Sequence, residues 1–147
     1  MRAVVQRVSR AAVRVDGNQK ASISKGLLVL LGVEKGDSAE EIVRFAERLP
    51  RHRFFTDADG KMNLSLKDVG GSILVVSQFT LAANLAKGLR PSFDPAMEPD
   101  RAREFVGVFV DTLRSAGIDV KEGVFGAHME VELVNDGPVT FAFQGAL

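Results

Sequence analysis

The chain has 147 residues, 46% of them hydrophobic and 26% charged, with 19 basic side chains balanced by 19 acidic ones. That is enough for one well-buried core and less than two domains ordinarily need, so a single domain over residues 1–147 is expected. Cysteine is absent, which excludes disulfides, thiolate nucleophiles and zinc-thiolate centres. No apolar run approaches the roughly 20 residues that cross a bilayer. The opening Met1-Arg2-Ala3-Val4-Val5-Gln6-Arg7 alternates and carries charge, unlike a secretory apolar region. A cytoplasmic protein with no membrane contact is expected.

In chain order, residues 1–9 and 11–15 alternate apolar with polar and predict strands, and Asp16-Gly17-Asn18 supplies hairpin chemistry before a further strand around 21–23. Leu27-Leu28-Val29-Leu30-Leu31, closed by Gly32, is a continuous apolar run and predicts a strand covered on both faces. Ser38-Ala39-Glu40-Glu41 is a capping box that opens a helix, with Ile42, Phe45, Ala46 and Leu49 on one face and Pro50 as its stop. A strand at Phe54-Phe55, a turn at Asp57-Ala58-Asp59-Gly60 and a buried strand at Ile73-Leu74-Val75-Val76 follow. After Pro99-Asp100 a second helix turns Phe105, Val108, Phe109, Thr112 and Leu113 inward and ends at Gly117. Two last strands, over 129–134 and 139–143, flank the turn Asn135-Asp136-Gly137-Pro138. Two helices cannot cover both faces of one large sheet. The expected fold is therefore α/β, a three-layer β/β/α sandwich of two packed mixed sheets with both helices on one outer face.

Charge is unevenly spread. The first 36 residues carry Arg2, Arg7, Arg10, Arg14, Lys20, Lys25 and Lys35 against Asp16 and Glu34, an excess of five positive charges. Such a surface either faces phosphates or is a solvated strand face whose arginines pair with acidic neighbours, and charge alone leaves both open.

Familiar site types are excluded in turn. Asp57-Ala58-Asp59-Gly60-Lys61-Met62 starts like a calcium loop, but Gly60 comes too early and Asp68 stands where the bidentate glutamate belongs. His52 and His128 are the only histidines and nothing near them repeats at ligand spacing, so no metal is expected. The chain has no Gly-x-Ser-x-Gly elbow, no Walker loop and no Gly-x-Gly-x-x-Gly, which removes the common hydrolase, nucleotide and dinucleotide signatures and, with them, any expected cofactor.

Two short segments remain. Ser77-Gln78-Phe79-Thr80-Leu81 ends a buried strand, where Gln78 and main-chain N–H groups can act as oxyanion donors and the Thr80 hydroxyl can lie near a scissile carbonyl. Equally, Ser77 and Thr80 can simply satisfy backbone groups there. Thr80 has no base beside it in sequence and would be a weak nucleophile. Asn135-Asp136-Gly137-Pro138-Val139-Thr140 is, on its own, ordinary turn chemistry.

Together these segments closely resemble the two signature motifs of the D-aminoacyl-tRNA deacylases, also called the D-tyrosyl-tRNA deacylase family. The resemblance runs the length of the chain through Val5-Gln6-Arg7-Val8, the stretch from Gly26 to Val33, Asp59-Gly60-Lys61-Met62-Asn63-Leu64, and Arg90-Pro91-Ser92-Phe93. Just before the last of these, in the motif that begins Lys87-Gly88, Leu89 departs from the side chain usual in the family and leaves a contact there open. The resemblance implies a homodimer that hydrolyses the ester of D-aminoacyl-tRNA, and of mischarged glycyl-tRNA, at the 3′-terminal adenosine. A Gly-cisPro motif, Gly137 and Pro138, would enter the partner's pocket and reject L-aminoacyl groups by steric overlap. It further implies Ser77, Gln78, Phe79 and Thr80 around the carbonyl, Arg7 bridging to the Gly-Pro segment, and assistance from the RNA 2′-hydroxyl. Phe79, Phe125 and Met129 are candidates to hold the adenine. Charged tRNA and a second copy of the chain are the implied partners. Two other functions fit the same residues: an L-seryl-tRNA editing domain of the same fold, and a nucleic-acid-binding module without activity.

Overall fold

The computed structural model describes residues 1–86 and 88–145; Lys87 of the quoted motif lies outside them. The first two predicted strands are one, β1 (Arg2–Val15), which turns tightly through Asp16 and Gly17, with φ of 50° and 74°, into β2 (Asn18–Ile23). Both central residues of that turn have positive φ, which matches the twist of the hairpin it joins. β3 (Gly26–Gly32) is buried along nearly its whole length, as its unbroken apolar run predicts.

Helix α1 (Ala39–Arg48) starts with the predicted capping box: the Glu41 amide donates to the Ser38 hydroxyl, and the Ser38 amide donates to the Glu41 carboxylate. Pro50 does not end the chain's coiling at once, because Leu49–Arg51 continue as a single 3-10 turn with Leu49 and Pro50 buried. The short pair β4 (Phe55–Thr56) and β5 (Met62–Leu64) forms a small separate sheet. β6 (Ser72–Ser77) and helix α2 (Pro99–Ser115) follow expectation, although α2 buries Val106 and Val110 where Thr112 was expected to face inward. β7 (Val120–Glu122) was not foreseen: three residues with one buried side chain leave no periodicity to read.

The largest departure is at the end of the chain. The two predicted strands around Asn135-Asp136-Gly137-Pro138 are one continuous β8 (Glu130–Gln144), because both halves pair antiparallel with the same β1. Gln6 lies opposite Thr140 and Val8 opposite Asn135, so residues 136–139 leave the ladder as an outward loop and the strand then resumes its direction.

Hydrogen bonding joins β2, β1, β3, β6 and β7 in that order, with β8 on the other side of β1, into one six-stranded mixed sheet. β1 pairs with β3 through its first half and with β2 through its second. Its inward face changes in between: Arg7 and Val8 are consecutive buried residues and Ser9 and Arg10 consecutive exposed ones. Two apolar clusters result. Ala3, Val5, Val29, Leu31 and Val75 pack toward the helices with Phe45 and Phe109, whose rings stack 5.5 Å apart. Val8, Ala11, Val13, Leu28, Leu74 and Val76 face the opposite way and meet Met129, Val131 and Leu133 of the folded-back part. The expected α/β layering, helices over sheet over sheet, is thus achieved largely by one sheet folding across β1.

Folding also disposes of the basic N-terminal third. Arg2 pairs with Glu34 at 2.9 Å, Arg10 with Glu132 at 2.7 Å and Lys35 with Glu98 at 3.5 Å, while Arg7 is buried. At Arg10 and Lys35 part of the positive excess is met by carboxylates distant in sequence, as a paired strand face requires.

Candidate active site

β3 and β6 run parallel and end together, Leu31 opposite Ser77. The Gln78 amide donates to the Leu31 carbonyl at 2.8 Å, which spends that N–H on the fold. Immediately beyond, Phe79–Ala82 form a 3-10 turn whose amides at Phe79 and Thr80, as the first of the turn, have no carbonyl partner within it. Those are the two main-chain donors left for an anion. Gly32 permits the close approach: a side chain there would put its Cβ 2.8 Å from the Gln78 carbonyl and 3.0 Å from Leu81 Cβ.

A cavity of about 680 Å³ opens at this strand end, in the size range of small-ligand sites. Ser77, Gln78 and Phe79 form one wall; Phe125, His128 and Met129 line another; Phe93, Met97 and Ala102 add apolar surface. Phe79 is 55% exposed and meets Phe93 edge-on at 4.9 Å, so a large aromatic surface stands uncovered at the mouth.

Thr80 lies beside the cavity and is not among its lining residues. Its hydroxyl accepts a short hydrogen bond from the Gln78 side-chain amide, and among the described residues no histidine or carboxylate bonds to it. Gln78 keeps a second N–H free to donate. Ser77, Gln78, Phe79, Phe125 and Met129 are therefore brought together, and Thr80 is joined to them through Gln78. Among the described residues, no three His, Asp or Glu side chains cluster as metal ligands would.

Arg7, Gly137 and Pro138 do not line this cavity. The loop after Asn135 projects from the sheet, with a cis peptide bond between Gly137 and Pro138 and both residues exposed. It is pinned from behind. Arg7, 8% exposed, donates from Nε to the Asp136 carbonyl at 2.8 Å and from Nη1 to the Phe54 carbonyl at 2.7 Å. Asn135 closes the loop: its Oδ1 accepts from the Val139 amide at 2.7 Å, and its Nδ2 donates to the Val139 carbonyl and the Thr140 hydroxyl. The Asn135 side chain thereby replaces a ladder rung where the backbone has left the sheet. Gly137 has no room for a side chain, since a Cβ would stand 2.5 Å from the Val139 nitrogen.

Reading the sequence did not single out Phe93, Met97, Ala102 or Asn135 for this role. Asn135 had a signal in the recurrent Asn at a turn, but the cavity residues come from a loop and a helix whose placement no local pattern states.

His52 sits away from the cavity, stacked on Phe54 at 5.0 Å and near Phe143 at 6.0 Å. Its Nε2 is buried without a hydrogen-bond partner. Burial, assisted by the positive charge of Arg48, holds its pKa below the ordinary 6.5.

The Gln78 side-chain amide and the Phe79 main-chain N–H at the cavity wall, with the Thr80 N–H beside it, are donors of the kind that acyl-transfer chemistry uses to bind a carbonyl oxygen. A family model described as D-Tyr-tRNA(Tyr) deacylase matches residues 4–144, and the chain belongs to that family. A relative from Geobacter sulfurreducens named D-aminoacyl-tRNA deacylase is 56% identical over 96% of this chain and 93% of its own. One of the same name from Shewanella pealeana is 55% identical over 98% and 99%. Among solved structures, a c-Myc DNA unwinding element binding protein superposes with a TM-score of 0.91 at 40% identity, covering 98% of both chains. A probable eukaryotic D-amino acid tRNA deacylase shares the fold, with a TM-score of 0.80 at 19% identity over 97% of both.

Proposed function

We propose that this chain is, as a single domain, an editing hydrolase that cleaves the ester between a D-amino acid, or glycine, and the 3′-terminal adenosine of tRNA. Membership of a family whose members are named for hydrolysis of D-aminoacyl-tRNA supplies the reaction class. The observation that carries the reading is the strand-end cavity lined by Gln78 and Phe79, with the Phe79 and Thr80 amides unpaired in the turn that follows. Those donors receive the oxyanion formed when water attacks the ester carbonyl. Thr80 orients Gln78, and Ser77 supports the wall. Phe79, Phe125 and Met129 hold the adenine.

The Gly137-Pro138 loop completes the site of a second copy. Rigid backbone placed against the substrate α-carbon leaves no room for an L side chain and accepts a D side chain or none. Two observations support this assembly. The loop is held from behind by Arg7 and Asn135, yet its exposed Gly137 and Pro138 do not line the cavity of their own chain. β8 is also an edge strand of 15 residues, none of them buried, with only β1 beside it among the described residues. Such a strand ordinarily acquires a partner.

The deciding experiment measures release of D-tyrosine, L-tyrosine, glycine and L-serine from charged tRNA by purified protein, with and without exhaustive chelation. Release of D-tyrosine and glycine, unaffected by chelator and from a dimer in solution, is expected. Release of L-serine instead would point to an L-seryl editing domain, and a fully active monomer would refute the cross-subunit loop. The 40%-identical structure, named as a DNA unwinding element binding protein, suggests one rival reading, a nucleic-acid-binding module. It requires nucleic-acid binding with no ester cleavage in the same assay.

A further inference from the structure

We propose that Arg103 and Phe125 form a nucleotide-binding pair at the cavity mouth, in which Arg103 takes the phosphodiester on the 5′ side of the terminal adenosine while Phe125 packs against the base. This rests on the deacylase reading and adds to it an RNA contact on helix α2. The Arg103 guanidinium carbon lies 5.0 Å from the centroid of the Phe125 ring. Phe125 is half-buried and lines the cavity, and Arg103 is exposed beside it. A guanidinium stacked on an aromatic ring uses its face for the ring and keeps its in-plane N–H groups free, which is the geometry that suits phosphate oxygens.

The charges around the mouth make this cation the one that matters. Asp94 and Glu98 both line the cavity, and an RNA phosphate approaching them is repelled. Lys35 also lines it, but its ammonium lies 3.5 Å from the Glu98 carboxylate, so it is shared with an acidic neighbour. Arg103 has no carboxylate partner among the described residues. The bland account is that Arg103 only lays its aliphatic stem over an apolar ring. That account predicts that an uncharged side chain of similar length serves equally well.

The test compares Arg103→Met, which keeps the cover and loses the charge, with Arg103→Lys and the unaltered protein. Two substrates are used: D-tyrosyl-adenosine, which has no phosphodiester, and the D-tyrosyl ester of the dinucleotide CpA, which has one. Arg103→Met should raise KM on the dinucleotide ester about ten- to a hundredfold, the loss expected for one charge-assisted contact, with kcat little changed. Its KM on D-tyrosyl-adenosine should stay the same, and Arg103→Lys should recover part of the loss. The difference in KM between the unaltered protein and Arg103→Met on the dinucleotide should also narrow as salt is raised, because salt screens the contact. Equal losses on both substrates, or no loss on either, overturns the proposal while leaving the deacylase reading in place. If the unaltered protein cleaves neither ester, the deacylase reading and this pair fall together.

Discussion

The segments around Gln78 and around Gly137 differ in what lies behind them and in front of them. The first has a cavity in front and spends its backbone on the fold only as far as the Gln78 amide. The second does not line that cavity, yet is held from behind by a buried arginine and by three hydrogen bonds of one asparagine. One lines a cavity, and the other is a braced loop that does not. Under the proposed function, chemistry and stereochemical selection fall on these two separate elements, so they should respond separately to mutation.

The largest effect should come from the substrate. The Thr80 hydroxyl is engaged by Gln78 and by no base, so the proposed source of assistance is the RNA 2′-hydroxyl. A charged tRNA whose terminal adenosine lacks that group should bind about as well and react slower by about 10²–10⁴, the usual contribution of positioned proton transfer. Equal single-turnover rates on both substrates would redirect attention to His128, the histidine in the cavity wall.

Within the cavity segment, Gln78→Ala should lower kcat by about 10²–10³, as removal of one oxyanion donor does elsewhere. Thr80→Val should cost only about tenfold, the worth of one orienting hydrogen bond. Complete loss in Thr80→Val, or a trapped threonyl ester, would make Thr80 the nucleophile.

The loop should behave differently. Gly137→Ala places a methyl group 2.5 Å from the Val139 nitrogen and must displace the loop. D-tyrosyl over L-tyrosyl selectivity should drop at least about tenfold, with a smaller change in the rate on glycyl-tRNA, which has no side chain to be tested. A variant that loses all three rates equally would break the separation of the two regions.

The smallest effect concerns His52. Its folded pKa is depressed, so as pH falls through about 6.5 the unfolded chain takes up a proton that the folded chain resists, and stability is lost toward acid. His52→Phe should reduce the drop in urea midpoint between pH 7.5 and pH 5.5 without altering selectivity. An unchanged drop would show that His52 is not linked to folding.

Much of this was legible residue by residue. The capping box at Ser38, the Asp16-Gly17 hairpin and the buried β3 and β6 announced themselves because caps, turns and continuous apolar runs are set by neighbours in sequence. The segments holding Gln78 and Gly137 were also visible, as small polar residues that interrupt apolar strands.

Position was not legible. No local pattern says that Ser9 and Arg10 mark where one strand changes its buried face, that both flanks of Asn135 pair with a single partner, or that Arg7 meets Asp136. Nor does sequence say that Arg10 meets Glu132 or that Lys35 meets Glu98, pairings that set part of the N-terminal positive charge against distant carboxylates. Sequence alone determined the elements, the chemistry of their ends and the resemblance to a family. Tertiary structure decided which ends share a cavity and which loop is left facing outward, because those outcomes follow from pairing and packing between residues far apart in the chain, where local propensity has nothing to act on.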